Sequence, residues 1–451
     1  LCLISKNDIA DFEKQSVLLS GGIKMSADLT MRLMDFLDKG VTASHAAASA
    51  MTMLEKKGFK RFFERKGWIL PIGTKGYVVR DDSSIIAFRM GRHSPAEDGF
   101  RIVGAHTDVP GLRVKPCGAY KKEGYKLLGV EIYGGPILAS WLDRDLTLAG
   151  RVFLKNNNGS APQTRLFNFE KPLCRIPQLA IHLNRGVNDD GLKLNKQTHL
   201  PPLCGIDDGE PFEMEKIRDR IADLAGCSAD DIVDFRLEAV DTQKAALCGF
   251  DGDFYASGRI DNLGGSFTSL MAFLAASDTP DATQVLALFD SEEIGSATLN
   301  GASSNFIDSI LERLAGNREN FMRALAGSII ISNDGAHAVH PNYAELHEPK
   351  HKPVLNGGPV LKMNSSERYI TQSAGAPYFI NLCRLHNVPL QRIVVRSDLP
   401  CGSTIGPIIS SRLGVMGADI GLPMLSMHSI RETGGTKDAE LMIKALAAHF
   451  G

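Results

Sequence analysis

From Gly249 onward the chain alternates short apolar runs with helix-spaced segments, and no other feature constrains its fold as strongly. VLALFD, SIIISND, RIVVRSD and VMGADIG each read as a strand that ends in a polar or glycine-bearing turn, with helical patterns between several of them. That alternation implies a mostly parallel sheet covered by helices. The first hundred residues fit the same body: residues 29–36 and 43–54 carry helix-spaced apolar side chains, whereas GYVVR, SIIAFRM and FRIVGAH read as strands. After Pro110 the texture changes. Residues 111–248 are rich in Gly, Pro and short β-like pieces such as LLGVEIYGG, LTLAGRVFL and PQLAIHL, with one amphipathic helix candidate in PFEMEKIRDRIADLAGC. The expected architecture is α/β, with residues 1–110 and 249–451 forming one discontinuous domain around a β-rich insertion at 111–248.

In open parallel sheets, ligands bind beyond the carboxyl ends of the strands. VLALFDSEEIGS drives an apolar strand straight into Asp290, Glu292 and Glu293. GAHTD adds His106 and Asp108, SGRIDNLGG adds Asp261, ISNDGAHAVHP adds Asp334, His337 and His340, and LSMHSIRE adds His428. Imidazoles and carboxylates converging on one rim suit borderline divalent ions such as Zn²⁺, Co²⁺ or Mn²⁺ better than Ca²⁺, which prefers oxygen alone. Each residue also has an ordinary reading. Asp261 could cap a helix, the paired glutamates could open a solvated helix, and His428 could be a satisfied core histidine. Independent segments all placing such groups on the same rim favours the metal reading, because bulk structure does not demand it.

Lys plus Arg number 50 against 52 Asp plus Glu, a balance that argues against a generalised nucleic-acid surface. No apolar run approaches the ~20 residues that cross a bilayer. The start, LCLISKNDIADFEKQ, lacks a basic n-region and makes a poor signal peptide, although a leader removed before Leu1 stays open because the chain does not begin with Met. The eight cysteines show no CxxC spacing, so neither a zinc ribbon nor a disulfide framework follows, and reduced thiols in the cytoplasm are expected.

Taken together, GAHTDVPGLRVKP, DNLGG, DSEEIGS, SNDGAHAVHPNY, PCGSTIGP and MHSIRE resemble the aspartyl aminopeptidases, a family of two-metal exopeptidases, over nearly the whole chain. The resemblance implies a zinc-exopeptidase-like fold whose inserted domain builds dimers and then a tetrahedral homododecamer. It implies that His106, Asp261 and Asp334 hold one ion while Asp261, Glu293 and His428 hold the other, with zinc foremost and cobalt or manganese as alternatives. By the same resemblance Asp108 fixes the tautomer of His106, and Glu292 is the general base; spacing alone does not distinguish Glu292 from Glu293. His182, in IPQLAIHLNR, would reach a neighbouring subunit's site to bind substrate and stabilise the oxyanion. Lys362 and Tyr369, in GGPVLKMNSSERY, would line the pocket for an acidic first side chain, so the expected substrates are peptides with a free N-terminal Asp or Glu. His337 and His340 are read as structural or rim residues.

Two other readings compete. A binuclear amidohydrolase that deacylates amino acids would share the ligands, but an arginine clamp for a free carboxylate would mark its pocket in place of Lys362 and Tyr369. An inactive peptide-binding scaffold would have lost a ligand or the base, and here all of these are present.

Overall fold

The computed structural model describes residues 22–156, 162–371 and 374–451; the N-terminal stretch LCLISKNDIADFEKQ lies outside the described residues. Its centre is a nine-stranded sheet in the order Lys60–Arg61, Lys75–Arg80, Ser84–Arg89, Thr283–Phe289, Phe100–His106, Ile329–Asn333, Met416–Gly421, Val360–Met363 and Gln391–Val394. The four strands from Thr283–Phe289 to Met416–Gly421 run parallel and are almost wholly buried. Parallel strands need both faces covered, which is why they read as continuous apolar runs. Alternate residues along one strand enter different layers: Leu286 and Leu288 join the core beneath helices Gly22–Lys39, Ala43–Lys56, Ile260–Ala275, Gly375–Leu385 and Asp438–Phe450, whereas Val285, Ala287 and Phe289 join the core beneath Phe306–Ala315, Arg318–Ala326 and Ile405–Leu413.

A second, antiparallel sheet has six strands in the order Gln163–Asn168, Leu146–Leu154, Ile232–Asp241, Gly111–Lys122, Tyr125–Tyr133 and Leu203–Ile206. It has its own core, built on Leu112, Leu128, Leu148, Val152, Phe167 and Leu237 with helix Met214–Ala225 packed on it. PQLAIHL departs from the strand reading. It runs as irregular chain into a single 3₁₀ turn, Ile181–Leu183, with Leu179, Ile181 and Leu183 exposed. The alternation that suggests a strand is present there, but no neighbouring strand takes up its backbone. A third, five-stranded sheet combines Ala246–Cys248, Phe254–Ser257, Glu432–Gly435, Pro423–Leu425 and Ala336–His337. Among the described residues no helix is long and apolar enough to cross a membrane.

Register places the chemistry. Phe289 pairs with His106, and Ser332 with Gly104, so the residues following Phe289 and Asn333 emerge beside the His106 ring. One buried imidazole also locks the C-terminal helix to this sheet: His449 Nε2 lies 3.1 Å from the Ile102 carbonyl and its Nδ1 2.9 Å from the Tyr378 hydroxyl. Burial, reinforced by the Arg101 charge, pushes this imidazole down to about 3. The folded state therefore holds it neutral, with its stabilising contribution complete above the unfolded pKa of 6.5 and lost as pH falls from there toward about 3. By pH 5 the loss should reach about 2 kcal/mol. Thermal melts of wild type and His449→Gln across pH 5 to 8 test this: the destabilisation caused by the substitution should shrink toward the acid end, and a difference constant with pH would contradict it.

Candidate metal centre and active site

The site is built at the carboxyl edge of the parallel strands. His106 is the last residue of its strand and is 1% exposed. Its Nδ1 lies 3.0 Å from the Asp108 carbonyl and 3.3 Å from Asp108 Oδ1, which fixes the ring and turns Nε2 toward Asp334 Oδ1 at 3.5 Å and Asp261 Oδ1 at 3.7 Å. His428 makes a matching arrangement from the other side. Its Nδ1 lies 3.0 Å from the Gly135 carbonyl, and its Nε2 faces Asp261 Oδ2 at 3.3 Å and Glu293 Oε1 at 3.4 Å. Three groups of three candidate ligands result among the described residues: His106 with Glu292 and Glu293, and two that share Asp261, namely His106 with Asp261 and Asp334, and Asp261 with Glu293 and His428. Asp261 turns one oxygen to each imidazole.

Glu292 and Glu293 stand in a single 3₁₀ turn that Ser291, at φ 70°, opens directly after the strand. They do not start a solvated helix. Their side chains are only 18% and 5% exposed, and Glu292 Oε2 is 4.0 Å from His106 Nε2. Asp108 holds this turn in place by accepting from the Glu292 and Glu293 amides at 3.0 and 3.1 Å. Asp290 turns elsewhere, to Asn300 and the Ser291 amide.

The electrostatics show a surplus of negative charge. Burial, with Asp261 nearby, raises Glu293 well above the ordinary carboxylate range, and burial with several carboxylate neighbours pushes Glu292 up to about 8. Burial acts against a charged His106 ring, yet Asp108 and Asp334 hold its pKa well above the usual value. Asp334 is the exception. Despite its burial, Lys362 and then His106 hold its carboxyl well below the usual range. Asp261 Oδ1 is buried and accepts no hydrogen bond, an arrangement that costs free energy unless a cation meets it. Two imidazole nitrogens and three carboxylates fit the donor preferences of zinc.

The remaining residues named from the sequence divide. Lys362 is buried, its Nζ 3.6 Å from Asp334 Oδ2 and 5.3 Å from the ring centre of buried Tyr369, so both join the site. His182 does not: it stands in the exposed Ile181–Leu183 turn and belongs to neither ligand group. His337 is exposed but within electrostatic range of Lys362, Asp261 and His428. His340 instead caps the Pro341–Leu346 turn, accepting from the Asn342 amide.

Two residues at the site escape the sequence reading. Tyr133, at the end of a strand of the six-stranded sheet, donates its hydroxyl proton to Asp108 Oδ2 at 2.7 Å. Glu432 ties Asp261 to His428, Oε2 accepting from the Asp261 amide at 3.1 Å and Oε1 from the His428 amide at 2.8 Å. Glu432 closes the MHSIRE segment, four residues from His428, and that proximity is the one local signal for it. Nothing near Tyr133 in sequence points to Asp108.

Comparison with known proteins decides the family. The profile described as Aminopeptidase I zinc metalloprotease (M18) matches residues 36–450. The chain belongs to the M18 aminopeptidases. It is 45% identical over 428 residues to the probable M18 family aminopeptidase 2 of Pseudomonas savastanoi pv. phaseolicola, covering 94% of this chain and 99% of that protein. The same enzyme of Stutzerimonas stutzeri is 46% identical over the same coverage. Among solved structures, Ape4 in its complex with Nbr1 superposes with a TM-score of 0.90 at 35% identity, covering 96% of this chain and 87% of that one. Chaetomium thermophilum mApe1 gives 0.82 at 32% identity over 94% and 97%. The protein is thus a hydrolase of the M18 aminopeptidase type, a zinc metalloprotease family, with an α/β fold.

Within this M18 aminopeptidase, Tyr133 and Glu432 brace the candidate ligands, and losing such support typically costs about 10- to 100-fold in metal affinity or activity. Tyr133→Phe and Glu432→Gln should each weaken metal retention or turnover to that degree while leaving the far-ultraviolet circular dichroism unchanged. Wild-type metal content and turnover in both variants would remove the assignment.

Proposed function

We propose that this aminopeptidase removes Asp or Glu from the free amino terminus of peptides, using two divalent ions, zinc foremost. The observation that carries the reading is Asp261, whose oxygens face separate ligand groups and whose Oδ1 is buried without a partner. His106, Asp261 and Asp334 hold one ion in this reading, and Asp261, Glu293 and His428 hold the other. When bound, such ions would supply an activated water at neutral pH and a polarised scissile carbonyl. Glu292 is left to move the proton, taking it from the attacking water and delivering it to the leaving amine. Asp108 keeps the His106 ring in the tautomer that presents Nε2. Exhaustive chelation should abolish hydrolysis, zinc should restore it, and Asp261→Ala should lose both ions in metal analysis. Full activity after chelation would end this reading.

The preference for an acid rests on Lys362. At 3.6 Å from Asp334, its ammonium is too far for a hydrogen bond, and it lies buried against Tyr369 beside the candidate metal centre. An incoming side-chain carboxylate would find there a desolvated cation and a phenol. Residues 111–248 are read as the dimerisation and lid domain. Their Tyr133 and Gly135 already reach Asp108 and His428, and the exposed apolar strip Leu179, Ile181 and Leu183 surrounds His182. A solved relative is the S. cerevisiae mApe1 dodecamer, with a TM-score of 0.82 at 28% identity. Self-association through this strip to dimers and a homododecamer would deliver His182 to a neighbouring copy's site, where it would hold the oxyanion. The described cysteines are all free thiols, which supports a cytoplasmic setting.

Lys362→Ala should cost peptides beginning with Asp or Glu about 2 to 5 kcal/mol of transition-state binding, and peptides beginning with Asn or Leu far less. Measuring kcat/KM on all four, with metal content as the control, separates selection from support: an equal loss on every substrate would show that Lys362 merely sustains Asp334.

A further inference from the structure

The six-stranded sheet closes on itself through one short segment. At one edge Leu203–Ile206 pairs with Arg175, and the adjacent Cys174 pairs with Leu146, the first residue of another strand of the same sheet. Backbone hydrogen bonds make this seam. Leu146 and Cys174 exchange two at 2.9 and 3.0 Å, and Arg175 and Leu203 exchange two at 3.0 and 2.7 Å. Because Arg175 and Leu203 exchange both bonds, the next opposed positions, Cys174 and Cys204, form a non-hydrogen-bonded pair whose side chains lie directly across from each other. Such pairs bring Cα atoms to about 4.5 Å, inside the span that a disulfide bridges.

The two thiols lie within interaction range of each other. Cys174 is buried in the core of the sheet, and hydrogen bonding to Cys204, added to burial, pushes its thiol well up, so it stays protonated. Cys204 is less deeply placed, its sulfur 3.5 Å from the Pro202 carbonyl, and is the one of the pair that a dissolved reagent can meet. Both are free thiols, and the chain between them carries the exposed strip at residues 179–183.

We propose that Cys174 and Cys204 are a reversible oxidation site, at which a hydroperoxide converts two opposed thiols into a disulfide that staples the seam of the closed sheet. The sulfur of Cys204, as thiolate, attacks the terminal oxygen of the hydroperoxide. The O–O bond breaks, a sulfenic acid forms on Cys204, and the alkoxide leaves as alcohol after taking a proton. The Cys174 sulfur then attacks the Cys204 sulfur. The S–O bond breaks, and the departing hydroxide leaves as water with the proton of Cys174. The sulfur pair loses two electrons and the hydroperoxide gains them. A small thiol such as dithiothreitol reverses the bond by exchange. The disulfide closes the chain from Cys174 to Cys204 into a covalent loop and reinforces a seam otherwise held by hydrogen bonds.

The test uses the full, metal-loaded enzyme treated with tert-butyl hydroperoxide, alkylated and mapped without reduction. The expected product is the Cys174 peptide joined to the Cys204 peptide, lighter by two hydrogens, formed before other cysteines react and undone by dithiothreitol. Melting of the oxidised protein should shift upward, and reduction should reverse the shift. Cys174→Ala should halt at a Cys204 sulfenic acid that dimedone captures, whereas Cys204→Ser should leave Cys174 reduced. The proposal is overturned if wild-type Cys174 and Cys204 both remain alkylatable while other cysteines oxidise. It is equally overturned if either links to a different cysteine, or if Cys204 passes to the sulfinic acid without joining Cys174.

Discussion

Asp261 stands between two imidazoles, 3.7 Å from His106 Nε2 on one side and 3.3 Å from His428 Nε2 on the other, and the surrounding structure is arranged to keep it there. A buried carboxylate with an unsatisfied oxygen is costly, and here it shares its pocket with Glu293, Asp334 and Glu432. Backbone amides fix two of the carboxylates at this site. Glu432 accepts the amides of Asp261 and His428, and Asp108 accepts those of the glutamate turn. Such tethers fix where the charges stand but leave their sum uncancelled, and the oxygens that are left face inward toward the two ligand groups.

The tethers come from separate layers. Tyr133 and Gly135 belong to the stretch that leaves the six-stranded sheet, Glu432 belongs to the small five-stranded sheet, and His106 and the glutamate turn belong to the ends of the nine-stranded sheet. Arg113 extends the connection: its guanidinium stacks 3.5 Å from the centre of the Tyr133 ring, and its Nε lies 3.6 Å from Glu238. A displacement of the six-stranded sheet would therefore be felt at Asp108 through the Tyr133 phenol and at His428 through the Gly135 carbonyl and the Ile137 amide.

What the sequence made legible follows from periodicity and from strand ends. Val285, Leu286, Leu288 and Phe289 could be read as buried on both faces because parallel strands permit little else. Once those strands are parallel and in register, His106, Glu292, Glu293 and Asp334 must emerge on one edge, so their meeting needed no knowledge of side-chain packing. Asp261 and His428 were legible as candidates on the same rim, but their grouping came only with the family resemblance, since each is held by turns with unusual backbone, Arg259 at φ 67° and His428 itself at φ 67°. Tyr133 and Glu432 were illegible as partners because hydrogen bonds to a carboxylate or an amide leave no periodic trace. PQLAIHL misled for a related reason: alternation measures which side chains are apolar, and an exposed apolar strip alternates like one facing a core.

In the proposed function one side chain would join substrate selection to ion binding. Lys362 is the charge that holds Asp334 ionised in a buried setting, so it favours the protonation state a metal ligand requires. If it also receives the substrate's carboxylate, as proposed, its positive charge is shared at the moment of binding between that carboxylate and Asp334. Asp334 then loses part of its compensation and becomes a stronger donor to its ion. An acidic substrate would thereby tighten the centre that hydrolyses it, whereas a neutral one would leave Lys362 committed to Asp334. Selectivity of this kind arises from a redistribution of one buried charge, and it needs no shape difference between Asp and Asn.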